Sequence, residues 1–270
     1  MLLAHDLGTT GDKTSVHDDT GALVAGVTVG YPTNYGRGGV AEQDPEHWWD
    51  AVCRATTELL ARTGIKAAEI TAVGFSGQMM GAVLLDGHLR PVRPAMIWAD
   101  HRSGRQADML LERIGLHDAY EATGHRINPT YSLTKVMWTR DNEAEAFAVT
   151  RHVCQAKDYI VARLTGQLAT DPSDASSTNA YDQRAGTWSE DPLQSLSRGP
   201  TLRVSSTRLD LTPGDLRLRM GSGWFGASML PVRLDRHRSM STQLVSITVE
   251  FPLITSVAEG DLNLRPLDVD

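Results

Sequence analysis

Hydrophobic and polar positions near the start of the chain alternate as in strands, and then change to a helical period. The segments Met1 to Ala4, Thr14 to His17 and Leu23 to Tyr31 predict three consecutive strands. Asp44-Pro45-Glu46 combines a helix cap, a proline at the first helical position and an early acid, so it predicts a helix start. We expect this helix to end near Gly64. Its apolar face consists of Trp48, Trp49, Val52, Ala55, Leu59 and Leu60. The two tryptophans are interpreted as packing residues rather than as a ligand platform.

The same pattern continues to about residue 178. Strands are predicted at Ile70 to Ser76, Ala82 to Leu85 and Val149 to Cys154, and helices at about Ser103 to Ile114, Ser132 to Arg140 and Lys157 to Leu164. Leu133, Val136 and Met137 are expected to point inward. The glycine-rich segment Asn34 to Gln43 and the segment Thr170 to Thr178 are predicted as polar connections. Three strands, a helix and a fourth strand is the order found in the lobe of actin-like ATPases.

A glycine- and threonine-rich turn joins the first two predicted strands, between Asp6 and Lys13. Gly8 and Gly11 permit positive φ and let the backbone approach a ligand closely. Successive N–H groups would then face one anion-binding concavity, and Thr9 and Thr10 would add hydroxyl donors. This composition favours a turn that holds the phosphates of a nucleotide.

The carboxylate of Asp6 ends the first predicted strand. It can hold Mg²⁺, directly or through water, as carboxylates commonly do at nucleotide sites. An ordinary β-hairpin with glycine and threonine in its loop explains the same residues. The turn alone leaves both interpretations open.

Composition excludes several classes of protein. The chain has 270 residues and a net charge of −7, so it carries no basic footprint for nucleic acid. Cys53 and Cys154 lack metal-ligand spacing and are expected to be buried free thiols in a reducing compartment. Without a leader or an apolar run of membrane length, we expect a cytoplasmic protein with no membrane partner. The nine histidines form no H-E-x-x-H pair, and Gly74 to Gln78 lacks the last glycine of a hydrolase nucleophile elbow.

The character of the sequence changes after about Leu196. Residues 197–270 contain nine arginines and no lysine, are rich in serine and threonine, and show little periodicity apart from a strand pattern at Leu244 to Phe251. We therefore expect two units, a folded lobe over 1–196 and an irregular tail over 197–270 that is partly disordered.

Several ordered motifs of the first unit resemble those of the FGGY family of carbohydrate kinases, and most closely its xylulokinases. The motifs are the opening turn, Glu42-Gln43-Asp44-Pro45-Glu46-His47-Trp48-Trp49, Gly74-Phe75-Ser76-Gly77-Gln78-Met79-Met80-Gly81, Trp98-Ala99-Asp100-His101-Arg102, Lys157-Asp158-Tyr159 and the run from Thr165 to Ala175. The resemblance implies an α/β, actin-like (ribonuclease H-like) lobe with a mixed sheet flanked by helices. It also implies an ATP-dependent, Mg²⁺-assisted transfer of phosphate to a sugar hydroxyl, in a cleft between two lobes.

The resemblance carries particular residues into particular roles. The phosphate and cofactor residues are Asp6, Thr9, Thr10 and Lys13, with Asp6 as the Mg²⁺ ligand. The sugar-contacting residues are Gln78, Met79, Met80, Asp100, Arg102 and Thr130. Carboxylate and amide groups suit adjacent sugar hydroxyls, while Mg²⁺ and backbone N–H groups neutralise a transferring phosphoryl group.

Three observations qualify this assignment. Asp100 and Arg102 could instead form a mutual salt bridge that fixes their loop, which need not exclude a sugar contact. Met80 stands where xylulokinases usually carry histidine, so an adaptable thioether replaces an imidazole and D-xylulose is less secure as the substrate. Asp12 would repel phosphates if it faced them, so we expect it to face away while Lys13 faces the phosphate site.

The family's catalytic base is an aspartate in a Gly-Gly-Gly-Asp-Asn-like motif of the second lobe, and no such sequence occurs here. A second lobe needs on the order of 200 residues, which the tail does not supply. The composition break suggests a change of reading frame or gene decay near Leu196. The interlobe surface of the first unit would then be exposed and open to self-association, as in a homodimer.

Three hypotheses follow from these observations. The chain is an active sugar kinase, a non-catalytic lobe that still binds sugar, or another actin-like protein such as a chaperone ATPase or an acetate-type kinase. The missing base favours the second hypothesis for the polypeptide itself. The Gln78 and Asp100 segments argue against the third.

Overall fold

A computed structural model describes residues 1–189 and the backbone of five short strands between residues 203 and 249. The helices are α1 Pro45–Thr63, α2 Gly104–Ile114, α3 Leu116–Thr123, α4 Ser132–Asn142, α5 Ala144–Val149, α6 Ala156–Thr165 and α7 Pro172–Ser176, with a 3₁₀ turn at Ala67–Glu69. The strands up to residue 189 are β1 Leu2–Leu7, β2 Gly11–His17, β3 Leu23–Gly30, β4 Asn34–Tyr35, β5 Ala41–Gln43, β6 Ala72–Gly77, β7 Val83–Leu85, β8 Ala95–Met96, β9 His152–Cys154, β10 Tyr181–Asp182 and β11 Thr187–Trp188. The later strands are β12 Arg203–Val204, β13 Arg219–Met220, β14 Gly223–Trp224, β15 Val232–Asp235 and β16 Val245–Val249.

The main sheet has six strands in the order β15-β16-β6-β1-β2-β3. β1, β2 and β3 form an antiparallel meander, whereas β6 pairs with β1 in parallel. The helix between β3 and β6 provides the crossover that a parallel pair requires. This mixed sheet confirms the predicted fold class. β16 confirms the predicted strand at Leu244 to Phe251. β12, β13, β14 and β15 also fall within the predicted irregular tail, and its other residues lie outside the described part of the chain.

α1 begins and ends as its sequence predicts. The side chain of Asp44 accepts a hydrogen bond of 2.9 Å from the N–H of Glu46, and Gly64 adopts a left-handed φ of 71° after the last turn. Such caps satisfy backbone groups that have no partner inside the helix. Trp48 is buried in the core, whereas Trp49 is only partly buried and lies against Arg163. Both tryptophans therefore pack within the lobe.

A second hydrophobic core lies beside the main sheet. It joins α2, α3, α4 and α5 to β7 and β9, which pair with each other in a small sheet. Leu133, Val136 and Met137 of α4 are buried in it, which confirms their predicted inward orientation.

Some local elements differ from the predictions. The segment 34–43 is not a simple loop, because β4 and β5 pair within it and β5 also pairs with β8. Val149 ends α5 rather than beginning a strand. The polar segment Thr170 to Thr178 contains α7, which Asp171 caps by accepting from the N–H groups of Ser173 and Asp174.

Gly8 and Gly11 flank the tip of the β1–β2 hairpin, and neither has positive φ. The left-handed conformations that glycine permits are therefore not used at these two positions. Gly11 is needed for close packing instead, because a Cβ atom there would lie 2.7 Å from the carbonyl oxygen of Val29 on β3. A Cβ atom at Gly8 would lie 3.4 Å from its nearest neighbour, which is an ordinary contact.

One buried lysine lies among three carboxylates between α6 and α7. The Nζ atom of Lys157 is 2.8 Å from Asp158, 2.7 Å from Asp171 and 2.8 Å from Asp174. One ammonium cannot balance three buried carboxylates, so the cluster favours an added proton. Burial, together with the charges of Asp158 and Asp171, raises the pKa of Asp174 to about 7 against the opposing effect of Lys157.

The cysteines and the lengths of the helices can be compared with the expectations from composition. Cys53 and Cys154 are free thiols, the first partly buried and the second buried. Among the helices described, none combines the length and apolar composition needed to cross a lipid bilayer.

We expect Gly11→Ala to lower the free energy of unfolding by about 1–3 kcal/mol, because the added methyl group forces β2 and β3 apart. Gly8→Ala is the matched control in the same hairpin and should stay within about 1 kcal/mol of the wild type. Urea unfolding followed by circular dichroism measures both variants. Equal stabilities for the two variants would contradict the close approach of Gly11 to β3.

The pH dependence of stability should reveal the proton held by Asp174. Its folded pKa, about 7, lies above the unfolded value of 3.8, so the folded state binds more protons between these limits and stability falls as pH rises through them. Asp174→Asn mimics the protonated form and should not show this loss. Its unfolding free energy, relative to that of the wild type, should therefore rise by about 3 kcal/mol when the pH is raised from 4.5 to 8. Urea unfolding at both pH values gives the difference. The exposed Asp108→Asn serves as the control, and parallel profiles for wild type and Asp174→Asn would refute the raised pKa.

Candidate functional site

The opening turn is the tip of the hairpin between β1 and β2, so the hairpin interpretation is correct as geometry. The N–H of Gly8 donates to Gly11 O within the turn, and Tyr31 Oη donates to Gly8 O at 2.5 Å. Within residues 1–189, the N–H groups of Thr9 and Thr10 meet no acceptor. The turn therefore presents two backbone donors and the exposed Thr10 side chain, a set that suits an anion.

Asp6 and Lys13 lie opposite each other in the β1–β2 ladder, on the open face of the sheet. Both side chains are exposed, and with Ser15 and Thr28 they border a shallow depression of about 510 Å³. Asp12 points to the other face, where it is fully buried and accepts from Thr14 Oγ1 at 2.8 Å. Asp12 thus faces away from Lys13, as expected.

Asp12 belongs to a buried polar network under the hairpin. His5 Nδ1 lies 2.9 Å from Asp12 Oδ2, and the imidazole stacks on Phe75 with ring centroids 5.1 Å apart. Thr56 of α1 approaches the other ring nitrogen at 3.4 Å. The network fixes the side of the hairpin that faces α1 and leaves the opposite side to Asp6 and Lys13.

Gln78 follows β6 directly and lies beside the opening turn. Its N–H donates to the carbonyl of Leu7 at 2.8 Å, because the parallel pairing of β1 and β6 brings both strand ends to one edge. The crevice at the carboxyl ends of parallel strands is the usual ligand site of such sheets. Gln78 Oε1 is buried and has no hydrogen-bond partner among the described atoms.

Gln43 at the end of β5 connects the opening turn to Gln78. Its Nε2 donates to Thr9 O at 2.7 Å and to Thr33 Oγ1 at 2.6 Å. Its Oε1 accepts from Gln78 Nε2 at 2.7 Å and from Trp48 Nε1 at 2.9 Å. These four bonds use the whole hydrogen-bonding capacity of a buried amide and hold the two turns in one position.

Asp100 and Arg102 form the salt bridge that was the alternative to a sugar contact. Arg102 donates to Asp100 Oδ2 from Nε at 3.0 Å and from Nη2 at 2.6 Å, and Nη2 also reaches Glu42 Oε1 at 2.8 Å. The N–H of Ala41 donates to Asp100 Oδ2 at 2.8 Å, and Asp100 is fully buried. These contacts fix the loop against β5. A sugar contact by either residue stays a prediction.

Trp98 brings the same loop to the opening turn. Its Nε1 donates to Thr9 Oγ1 at 2.9 Å, and the indole is 43% exposed. An exposed indole held beside a turn with free donors forms part of the wall of the candidate site.

Met79, Met80 and Thr130 are all partly buried. Met80 has a left-handed φ of 63°, which is uncommon for a residue other than glycine and often marks a functional site. Lys135 of α4 donates to the carbonyl of Met80 at 2.8 Å and also to the carbonyl of Thr130. The structure therefore brings the predicted sugar residues Met80 and Thr130 to the same lysine.

Sequence reasoning did not assign roles to Gln43, Trp98 and Lys135. Gln43 and Trp98 lie inside motifs that resemble the FGGY family, so their positions in the sequence could have identified them as candidate site residues. Lys135 gave a weaker signal, since a lysine within an otherwise apolar helix face is unusual when buried.

The residues present are compatible with a nucleotide-bound Mg²⁺ ion. Asp6 is exposed at the strand end, and its carboxylate has no hydrogen bond or ion pair with the rest of residues 1–189. In those residues, no three or more His, Cys, Asp or Glu side chains are arranged so that they could hold a metal ion. A single carboxylate beside a phosphate turn suits Mg²⁺, which usually takes one or two protein carboxylates together with substrate phosphates.

Comparison with known sequences agrees with this geometry. A family model described as the N-terminal domain of the FGGY family of carbohydrate kinases matches residues 1–202. The xylulose kinase of Streptomyces rubiginosus is 36% identical over 219 residues, which cover 80% of this chain and 44% of that protein. The xylulose kinase of Escherichia coli K12 is 34% identical over 236 residues, which cover 86% of this chain and 47% of that protein. The chain thus spans less than half the length of these relatives.

Solved structures give the same result. A Brucella ovis protein described as a xyloylose kinase superposes with a TM-score of 0.69 at 34% identity, covering 75% of this chain and 42% of the other. The ligand-bound xylulose kinase of Lactobacillus acidophilus superposes with a TM-score of 0.69 at 27% identity, covering 76% and 41%. Because the family model matches well over half of its residues, the chain belongs to the FGGY family of carbohydrate kinases.

Proposed function

We propose that this chain is the sugar- and phosphate-binding lobe of an ATP-dependent carbohydrate kinase whose substrate is xylulose or a related ketose or polyol. The observation that carries the proposal is the set of four hydrogen bonds of Gln43, which join the opening turn to Gln78. A kinase must hold the phosphates and the accepting sugar in a fixed relation, since positioning supplies much of the rate enhancement of phosphoryl transfer.

Each group in the site has a role in this proposal. Thr9 and Thr10 bind phosphate oxygens through their N–H groups, and Lys13 adds a positive charge. Asp6 holds Mg²⁺, which when bound screens the negative charge of the phosphates. Gln78 offers amide donors and acceptors to sugar hydroxyls. The other proposed sugar-contacting residues are Met79, Met80, Thr130, Asp100 and Arg102.

We further propose that the polypeptide alone binds sugar without transferring phosphate. The support is that residues 1–270 contain no Gly-Gly-Gly-Asp-Asn-like motif, which carries the catalytic aspartate in the family that the chain resembles. The division into a lobe over 1–196 and a tail over 197–270 rests on the composition break, and the family model ends nearby at residue 202. The alignment with the Escherichia coli enzyme covers 86% of the chain and so includes part of the tail. Cytoplasmic location and self-association stay predictions.

A sugar panel tests the proposed function. D-Xylulose, D-gluconate and glycerol are added singly to the purified chain with MgATP, while the melting temperature and coupled ADP release are measured. We expect a saturable rise in melting temperature with at least one sugar, worth about 2.7 kcal/mol at a concentration 100 times its Kd, and no sugar-dependent ADP release. Robust ADP release would overturn the non-catalytic part of the proposal, and no response to any sugar would overturn the binding part.

Gln43→Leu tests the link between the two turns. It leaves the carbonyl of Thr9 and the amide of Gln78 without their partner, so we expect a loss of about 1–3 kcal/mol in unfolding free energy. The melting-temperature shifts caused by sugar and by MgATP should both shrink. Gln106→Leu is the matched control, because Gln106 is equally buried but donates to Asp141 outside the site. If Gln43→Leu keeps both ligand shifts at wild-type size, the link does not serve binding.

A further inference from the structure

A buried lysine connects the predicted sugar-contacting segments from behind. Lys135 lies one turn into α4 and is completely buried. Its ammonium donates to the carbonyl of Met80 at 2.8 Å and to the carbonyl of Thr130, whose loop directly precedes the helix. The two carbonyls belong to segments that are 50 residues apart in sequence, so the lysine joins parts of the chain that have no local connection.

This arrangement is unusual for a lysine inside a protein. No carboxylate among the described residues forms an ion pair with Lys135, and backbone carbonyls are its acceptors. Burial lowers the pKa of Lys135 to about 7, although the charge of nearby Asp100 opposes the shift. A methionine of similar volume would avoid this desolvation cost, so packing alone does not explain a lysine here.

The helix that carries Lys135 is firmly anchored at its start. Ser132 Oγ donates to Gly81 O at 2.6 Å, directly after Met80. Thr134 Oγ1 donates to Tyr131 O at 2.9 Å, and the N–H of Leu133 donates to Thr178 O at 3.0 Å. A site is held accurately when its supporting groups come from a rigid element with satisfied hydrogen bonds.

Met80 is the segment most in need of such support. Its left-handed backbone is strained for a residue other than glycine and persists only where surrounding contacts enforce it. Lys135 and Ser132 hold the carbonyls of Met80 and Gly81 from the same helix end. These two bonds therefore oppose relaxation of the turn.

We propose that Lys135 is a positioning residue for sugar recognition, which with Ser132 clamps the Met80–Gly81 turn to the Thr130 loop so that both face one sugar. This inference rests on the proposed sugar-binding function. The clamp itself is a property of the sugar-free protein, and it is measured separately from binding.

Amide hydrogen exchange of the full chain, followed by mass spectrometry, tests the clamp without any ligand. Lys135→Met should accelerate exchange about tenfold in peptides covering residues 79–82 and 128–132 and leave α1 unchanged. The exposed Lys66→Met is the control for loss of a positive charge. Unchanged exchange in both segments, or an equal increase throughout the chain, would overturn the proposal.

The sugar arm uses the probe that gives the largest melting-temperature shift in the panel of D-xylulose, D-gluconate and glycerol. Lys135→Met should weaken its apparent affinity about tenfold and leave the MgATP shift unchanged, a split that a general loss of stability would not produce. Equal weakening of both ligands would overturn the positioning role. If no sugar shifts the wild type, the proposed function fails and the exchange result alone decides on the clamp.

If Lys135→Met does not fold, the same exchange measurement on Ser132→Ala tests the clamp instead. Removal of the hydroxyl that donates to Gly81 O should accelerate exchange in residues 79–82 without affecting α1. Wild-type exchange in that segment would overturn the clamp.

Discussion

Parallel pairing between β1 and β6 brings the candidate phosphate and sugar residues to one edge of the main sheet. Residues that follow parallel strands emerge at the same end of a sheet, so the opening turn after β1 and the Gln78 turn after β6 become neighbours. Gln43 then converts this proximity into fixed geometry, because its amide bonds to both turns and to the buried Trp48. The core of α1 under the sheet thereby supports the exposed donors of Thr9 and Thr10.

Buried charge is the second constraint on the site. Asp100, Arg102 and Lys157 with its three aspartates are held away from water, and each arrangement is stable only when its partners remain in place. Lys135 differs, because its acceptors are carbonyls rather than carboxylates. Asp100, Lys135 and Lys157 are buried, so these contacts stabilise the lobe from inside rather than at its surface.

The sequence predicted the ends of helices well, because a capping residue, a proline or a glycine has a direct effect on the backbone at its own position. Asp44-Pro45 predicted the start of α1, and Gly64 its end. Asp171-Pro172 carries the same signature and does begin α7, but the short polar segment after it has no apolar period to support a helix. Gly8 and Gly11 show the limit of composition: the need for glycine at position 11 arises from the carbonyl of Val29 on another strand, not from its own φ.

The sequence by itself determined the order of the main strands and helices and the family, and it proposed which residues bind phosphate, metal and sugar, because these inferences depend on residue type and spacing along the chain. Only the tertiary structure decided which of these residues are free. It turned Asp12 inward and Lys13 outward, committed both oxygens of Asp100 to Arg102, and gave Gln43 and Lys135 their partners. Those outcomes depend on pairings between distant segments, and a hydrogen bond across 35 or 55 residues leaves no periodic trace in the chain.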